Sequence, residues 1–212
     1  MTFQVITLTL GALNTNCYIV YDTDKKDAII IDPADEGDFI LQKIQENELH
    51  PILIVATHGH FDHILASTHL TLTLRVPFYM NKKDEFLLAR MNSSSIRFTK
   101  LKADLPPNKV VNLQGGENFK LGKMIFKVLE APGHTPGSIC LYNPVSKILF
   151  AGDLIFSDGS IGRCDFKYSD KKSMNKSLRS ISKLPGQTIV YSGHGKPDSL
   201  KNIRNLSKHE IF

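Results

Sequence analysis

An apolar run, Ile52-Leu53-Ile54-Val55-Ala56, passes without a break into Thr57-His58-Gly59-His60-Phe61-Asp62-His63. The first segment has the length and branched side chains of a buried strand. The second sets three imidazoles and a carboxylate within six residues at the strand's end. On extended backbone alternate side chains point the same way, so His58 and His60 share a direction, while Asp62 and His63 open the next element and face a neighbouring point. That spacing suits two adjacent metal ions. Imidazole nitrogens favour zinc and other borderline divalent ions, and a carboxylate at the second position tolerates zinc, iron or manganese. A surface turn would account for one histidine. Four potential ligands behind a buried strand are too costly to leave unpaired, which favours a metal site. Gly59 fits between converging ligands because a side chain there would crowd the loop.

Three further segments repeat the pattern of an apolar strand running into a potential ligand. His134 lies in Ala131-Pro132-Gly133-His134-Thr135-Pro136-Gly137 after Met124 to Leu129. Asp153 ends Ala151-Gly152-Asp153 after Ile148 to Phe150, and His194 sits in Ser192-Gly193-His194-Gly195 after Thr188 to Tyr191. Taken singly, each reads as a turn or capping residue. Together they point to one site assembled at strand ends, where loops on a rigid scaffold carry chemistry.

Strand patterns are expected at Phe3 to Leu8, Cys17 to Tyr21, Ala28 to Ile31, Ile52 to Ala56, Val76 to Met80, Met124 to Leu129, Ser138 to Leu141, Ile148 to Phe150 and Thr188 to Tyr191. Helices are expected over Gly37 to Glu48, His63 to Leu74, Lys82 to Met91 and Lys171 to Lys183, with Asp170 as a cap for the last. No turn cluster is long enough to be an interdomain linker, so residues 1–212 read as one layered α/β or α+β domain.

Composition narrows the function classes. The 42% hydrophobic content suits a packed core, and no apolar run reaches the roughly 18 to 20 residues that cross a bilayer. Met1 to Leu10 has no basic leader, so a cytosolic location and no membrane partner are expected. Cys17, Cys140 and Cys164 are too scattered for a disulfide framework or a thiolate zinc knuckle. Cys17 and Cys140 lie in apolar segments, and Cys164 beside Arg163 is read as structural. A net charge of +5 permits an anionic partner, but the basic residues of Lys167 to Lys183 read as a solvated helix face. No G-x-S-x-G, Walker or G-x-G-x-x-G motif is present.

The T-H-x-H-x-D-H motif, the later His134, Asp153 and His194, and the flanking Asn16-Cys17-Tyr18 and Ile31-Asp32-Pro33 resemble the metallo-β-lactamase superfamily in the same order. The resemblance spans nearly the whole chain. It implies an αββα four-layer sandwich of the α+β class, with the site at one edge between two sheets. It further implies that His58, His60 and His134 hold a first metal, that Asp62, His63 and His194 hold a second, and that Asp153 bridges them. Pro132 to Ser138 and Ser160-Ile161-Gly162-Arg163-Cys164-Asp165 look most like the short, single-domain glyoxalase II group, hydrolases of hydroxyacyl-glutathione thioesters. Arg163 is then a candidate substrate contact, with a structural salt bridge as the equal alternative.

In that reading two divalent ions, zinc foremost and iron or manganese compatible, lie about 3.5 to 4 Å apart and supply hydroxide at neutral pH for attack on a small-molecule thioester. Asp62 helps to orient the hydroxide, and the Thr57 and Thr135 hydroxyls are candidates for fixing imidazole tautomers. The expected assembly is a monomer or homodimer with no nucleic-acid partner. A mono-iron persulfide dioxygenase is the alternative by resemblance, followed by a lactonase or a nuclease of the same superfamily. The chain departs from the glyoxalase II pattern at Leu65-Ala66, at Phe166-Lys167-Tyr168 and at Lys196-Pro197-Asp198-Ser199. The last two are expected where substrate enters.

Overall fold

A computed structural model describes residues 3–207. Met1, Thr2 and residues 208–212 of the expected 1–212 domain lie outside the described residues. Alternating side chains sort each strand into two faces, and this alternation builds the layers. In β2 (Thr15–Asp22), Tyr18 and Val20 point one way while Cys17, Ile19 and Tyr21 point the other, and all five are buried. A strand buried on both faces must lie between two layers.

The first sheet takes the order β1 (Phe3–Leu10), β2, β3 (Asp27–Ile31), β4 (His50–Val55), β5 (Phe78–Met80) and β6 (Val110–Asn112). Its first three strands are antiparallel, and β3 to β6 pair in parallel. The second sheet runs β12 (Asp198–Ser199), β11 (Ile189–Ser192), β10 (Ile148–Gly152), β9 (Ile139–Asn143), β8 (Met124–Glu130) and β7 (Asn118–Leu121). A core of Tyr18, Ile29, Ile31, Val55, Phe126 and Phe150, among others, fills the space between the sheets.

Outside the first sheet, Ile40 and Ile44 of α1 (Gly37–Glu46) and Leu70 of α3 (Ser67–Leu74) pack on Ile19, Ile30 and Ile54. Outside the second, Met174, Leu178 and Ile181 of α6 (Lys171–Ile181) and Ile203 of α7 (Leu200–Leu206) cover Cys140, Leu149 and Val190. The architecture is the expected αββα sandwich.

Strand direction places the site. In the second sheet β8 and β10 are each antiparallel to β9, and β11 is parallel to β10, so β8, β10 and β11 all end at one edge. His134, Asp153 and His194 follow those three ends. Backbone bonds stitch the first sheet to the same edge, from Ile139 N–H to the Thr57 carbonyl (2.9 Å) and from Asn16 N–H to the Gly193 carbonyl (2.8 Å).

Several expected elements change form. The helix anticipated over His63 to Leu74 divides into α2 (Phe61–Ile64) and α3, because Ala66 N–H leaves the helical ladder to donate to the Pro33 carbonyl at 3.0 Å. The anticipated Lys82 to Met91 helix is a 3-10 turn (Lys82–Asp84), a short α4 (Glu85–Leu88) and a new helix α5 (Met91–Thr99). The Asn92-Ser93-Ser94-Ser95 stretch of α5 has weak helix propensity and hides the element from a pattern search. Asp170 does cap α6, its carboxylate accepting from the Lys172 and Ser173 N–H groups. No helix among the described residues is long and apolar enough to cross a membrane.

Phe126 is fully buried between the sheets, with its ring stacked 5.3 Å from Phe119. Phe126→Ala is expected to lower stability by about 3 to 5 kcal/mol in urea unfolding. A loss under about 1 kcal/mol would contradict the placement of the central core.

Candidate metal centre

The loop after β4 turns His58 and His60 towards His134 from the β8–β9 loop. His60 Nδ1 lies 3.1 Å from His58 Nε2 and 2.8 Å from His134 Nε2, so three ring nitrogens converge on one point. A second group forms beside it. Asp62 Oδ2 is 3.6 Å from both His63 Nε2 and His194 Nε2. Asp153 faces both groups, with Oδ1 3.4 Å from His63 Nε2 and Oδ2 3.5 Å from His134 Nε2 and 3.7 Å from His194 Nε2. All seven residues anticipated as ligands therefore meet at one sheet edge, in overlapping groups whose donor atoms can hold an ion.

The donor set fits divalent ions on three counts. A tetrahedral zinc with bonds near 2.0 to 2.1 Å holds its donors about 3.4 Å apart, close to the separations present. His63 Nε2 and Asp153 Oδ1 are buried and make no hydrogen bond, an arrangement that is costly unless a cation lies between them. Burial, reinforced by neighbouring imidazoles, holds His58 well below the ordinary histidine range and His60 at about 3, so both are neutral and able to ligate. Burial opposes charge on His63 as well, but the Asp62, Asp153 and Asp32 carboxylates raise it well above its usual value. Asp153 is held well below the usual carboxylate range, its burial outweighed by His63 and the other imidazoles. The pocket thus favours positive charge where the two groups meet.

A surrounding set of bonds aims these side chains. Asp32 accepts from Thr57 N–H (2.6 Å) and from the Thr57 hydroxyl (2.8 Å), and its Oδ2 lies 2.9 Å from His63 Nδ1. The Nδ1 proton of His63 is thereby fixed, which leaves Nε2 for the site. Thr57 Oγ1 is also 3.1 Å from His58 Nδ1, in line with the role anticipated for it. Thr135 differs from expectation, since its hydroxyl donates to Asp84 Oδ2 at 2.6 Å and lies 2.7 Å from the Ser138 hydroxyl, with its bonds turned away from the imidazoles.

Asp84 is fully buried and accepts also from Gly59 N–H (2.9 Å) and Gly137 N–H (2.7 Å), which ties the His58–His60 loop to the His134 loop. A Cβ on Gly59 would stand 3.0 Å from the Asp84 Cβ, so the crowding anticipated there comes from Asp84. At Gly193 a Cβ would fall 2.1 Å from Asp153 Oδ1. Asn16 holds the His194 loop, its side-chain amide donating to the Ser192 (3.1 Å) and Gly195 (2.7 Å) carbonyls.

Sequence patterns gave no role to Asp84, and Asp32 and Asn16 entered only within motifs. Asp84 sits in a polar stretch, Asn81-Lys82-Lys83-Asp84, that reads as an ordinary helix start. Arg163 takes its salt-bridge alternative. Its Nε and one terminal nitrogen donate to the two Asp165 oxygens at 2.9 and 2.7 Å, and its guanidinium lies 4.6 Å from the Phe166 ring centre. Both partners are exposed, so solvent screens the pair and it adds little to stability.

The expected loop departures also resolve. Phe166 and Tyr168 line the cleft over the His/Asp groups, together with Leu13, Phe61, Phe98 and Arg163. Asp198-Ser199 instead forms edge strand β12, and the Ser199 hydroxyl caps α7. Burial raises the thiol of Cys17, pushes that of Cys140 up to about 12 and raises that of Cys164, so none is a ready thiolate nucleophile.

A four-layer sandwich with a His/Asp centre at the shared sheet edge defines a class of metal-binding fold. The family model of the metallo-beta-lactamase superfamily matches residues 10–194. The chain belongs to the metallo-β-lactamase superfamily. It is 36% identical over 198 residues to hydroxyacylglutathione hydrolase GloC of Haemophilus influenzae, covering 92% of this chain and 91% of that protein. Among solved structures it is similar to TTHA1623 in a di-iron-bound form, with a TM-score of 0.87 and 34% identity over 96% of this chain and 99% of that one. The BLEG-1 B3 metallo-beta-lactamase superposes with a TM-score of 0.85 and 31% identity, covering 96% and 97%.

Asp84→Ala removes the acceptor of two buried loop N–H groups and one hydroxyl. At about 1 to 3 kcal/mol for each unsatisfied donor, it is expected to cost about 3 kcal/mol or more in denaturant unfolding of the metal-free protein. A cost below about 1 kcal/mol would show that Asp84 does not hold the two loops.

Proposed function

We propose that the protein is a metal-dependent hydrolase that cleaves a hydroxyacyl-glutathione-type thioester. The observation that carries this reading is the pair of donor groups, His58/His60/His134 and Asp62/His63/His194, that share Asp153 at the floor of an open cleft. Under this proposal the first group would hold one divalent ion, the second group would hold another, and Asp153, which faces both groups, would serve both. Imidazole and carboxylate donors suit zinc foremost, and iron or manganese are compatible. When bound, such ions lower the pKa of water towards 7 and polarise an adjacent carbonyl.

The chain's own groups then set the geometry of attack. Asp62 faces the cleft, and its Oδ2 accepts the Thr15 hydroxyl at 2.8 Å, which fixes the carboxylate where it can orient an attacking water and take its proton. Asp153 holds the other side of the same point. The aromatic and aliphatic walls, Leu13, Phe61, Phe98, Phe166 and Tyr168, give the acyl and thiol arms of a small substrate apolar surface to lie on. The thiol departs as a thiolate, so the leaving group needs no dedicated acid. Arg163 borders the cleft with its fork directed to Asp165, and it serves this reading as a wall more than as a free anion contact. Similarity to the Haemophilus hydroxyacylglutathione hydrolase supports the choice of thioester.

The test is the rate of thioester cleavage by zinc-, iron- and manganese-reconstituted protein under argon, beside His60→Ala. Loss of an outer-shell partner typically costs about 10- to 100-fold, so loss of a ligand is expected to cost about 100-fold or more. Oxygen-independent cleavage that disappears in the variant is the predicted result. A metal-loaded protein inert towards the thioester under argon would contradict it, and oxygen uptake with a persulfide would redirect the assignment to an oxidation.

A further inference from the structure

The outer nitrogens of two histidines in the first donor group are held by a single loop. His134 Nδ1 lies 2.8 Å from the Arg163 carbonyl, and His60 Nε2 lies 2.8 Å from the Tyr168 hydroxyl. The loop is itself fixed on both sides of Tyr168. Ser169 N–H closes a turn on the Phe166 carbonyl (3.0 Å), the Ser169 hydroxyl donates to the His134 carbonyl (2.7 Å), and Asp170 N–H donates to the Gly133 carbonyl (2.9 Å). The Tyr168 ring stacks on Phe166 at 5.3 Å and 9°, and it meets Phe86 edge-on at 5.2 Å. Phe166 in turn packs against the His60 ring at 5.3 Å. The phenol is therefore held in place and directed at His60 by contacts that do not depend on an ion.

We infer that Tyr168 is a positioning residue for His60 that selects its ligating tautomer. His60 Nδ1 is the nitrogen that converges with those of His58 and His134. A neutral imidazole that ligates through Nδ1 carries its proton on Nε2, and that N–H needs an acceptor. Tyr168 Oη, at 2.8 Å, is that acceptor. The roles of the two outer partners differ. A carbonyl can only accept, so it enforces Nδ1–H on His134, whereas a hydroxyl that accepts from His60 keeps its own hydrogen available to the cleft that Tyr168 lines.

This inference rests on the metal-site part of the proposed function and is independent of the substrate. Tyr168→Phe keeps the stack on Phe166 and removes only the hydroxyl. The experiment is a zinc competition titration of the metal-free wild type, Tyr168→Phe and His60→Ala, with nitrogen-15 imidazole spectra of the zinc-loaded proteins. Tyr168→Phe is expected to weaken one of two zinc steps by about 10-fold or more, the step that His60→Ala abolishes, and to leave the other within about twofold. The His60 Nε2–H signal should lose its hydrogen-bonded character while the thermal midpoint of the metal-free protein stays unchanged. Equal affinities in wild type and Tyr168→Phe, or equal weakening of both steps, would overturn the positioning role. A wild type that takes up no zinc would overturn the metal assignment itself, whatever the variant does.

Discussion

Ionisable groups withdrawn from water need a compensating charge, and this requirement governs the shared edge of the two sheets. His58 and His63 are buried, Asp153 is nearly so, and their donor atoms face one another with no protein hydrogen bond between His63 Nε2 and Asp153 Oδ1. Such an arrangement persists only if the surrounding structure over-determines it. It does so through strand direction: β8, β10 and β11 end together, and backbone bonds to Thr57 and Asn16 bring the first sheet to the same line. The sandwich is in this sense the support of one cluster.

Two carboxylates that do not belong to the cluster give it rigidity. Asp32 unites Thr57 with His63, and Asp84 unites the His58–His60 loop with the His134 loop. Both accept several short bonds, so each ties loops from different parts of the chain at one point. The glycines beside them follow from the same packing. Side chains at positions 59 and 193 would enter the space of Asp84 and Asp153, so close approach of backbone, more than turn geometry, decides those two residues.

Much of this was legible in the sequence because a strand followed at once by a ligand is a local pattern. The runs before His58, His134, Asp153 and His194 carried both the sheet and the site, and the succession of strand runs and helical patterns carried the layers. What was not legible depends on distance along the chain. Asp84 meets Gly59 across 25 residues and Gly137 across 53, and Tyr168 meets His60 across 108, with no local signature for either contact. Leu65-Ala66 reads as helix interior, yet a carbonyl at Pro33 draws the Ala66 N–H out of the ladder. Helix α5 was hidden for a different reason, because serine and asparagine predominate where tertiary packing of Met91 and Ser95 sets the conformation.

Anomalous diffraction from zinc-soaked crystals tests most directly whether the His/Asp cluster is the two-ion centre proposed for it. The account predicts two peaks, one among His58 Nε2, His60 Nδ1 and His134 Nε2, the other among Asp62 Oδ2, His63 Nε2 and His194 Nε2, with Asp153 between them. Absence of both peaks at full zinc, or zinc bound only outside these seven residues, would contradict it.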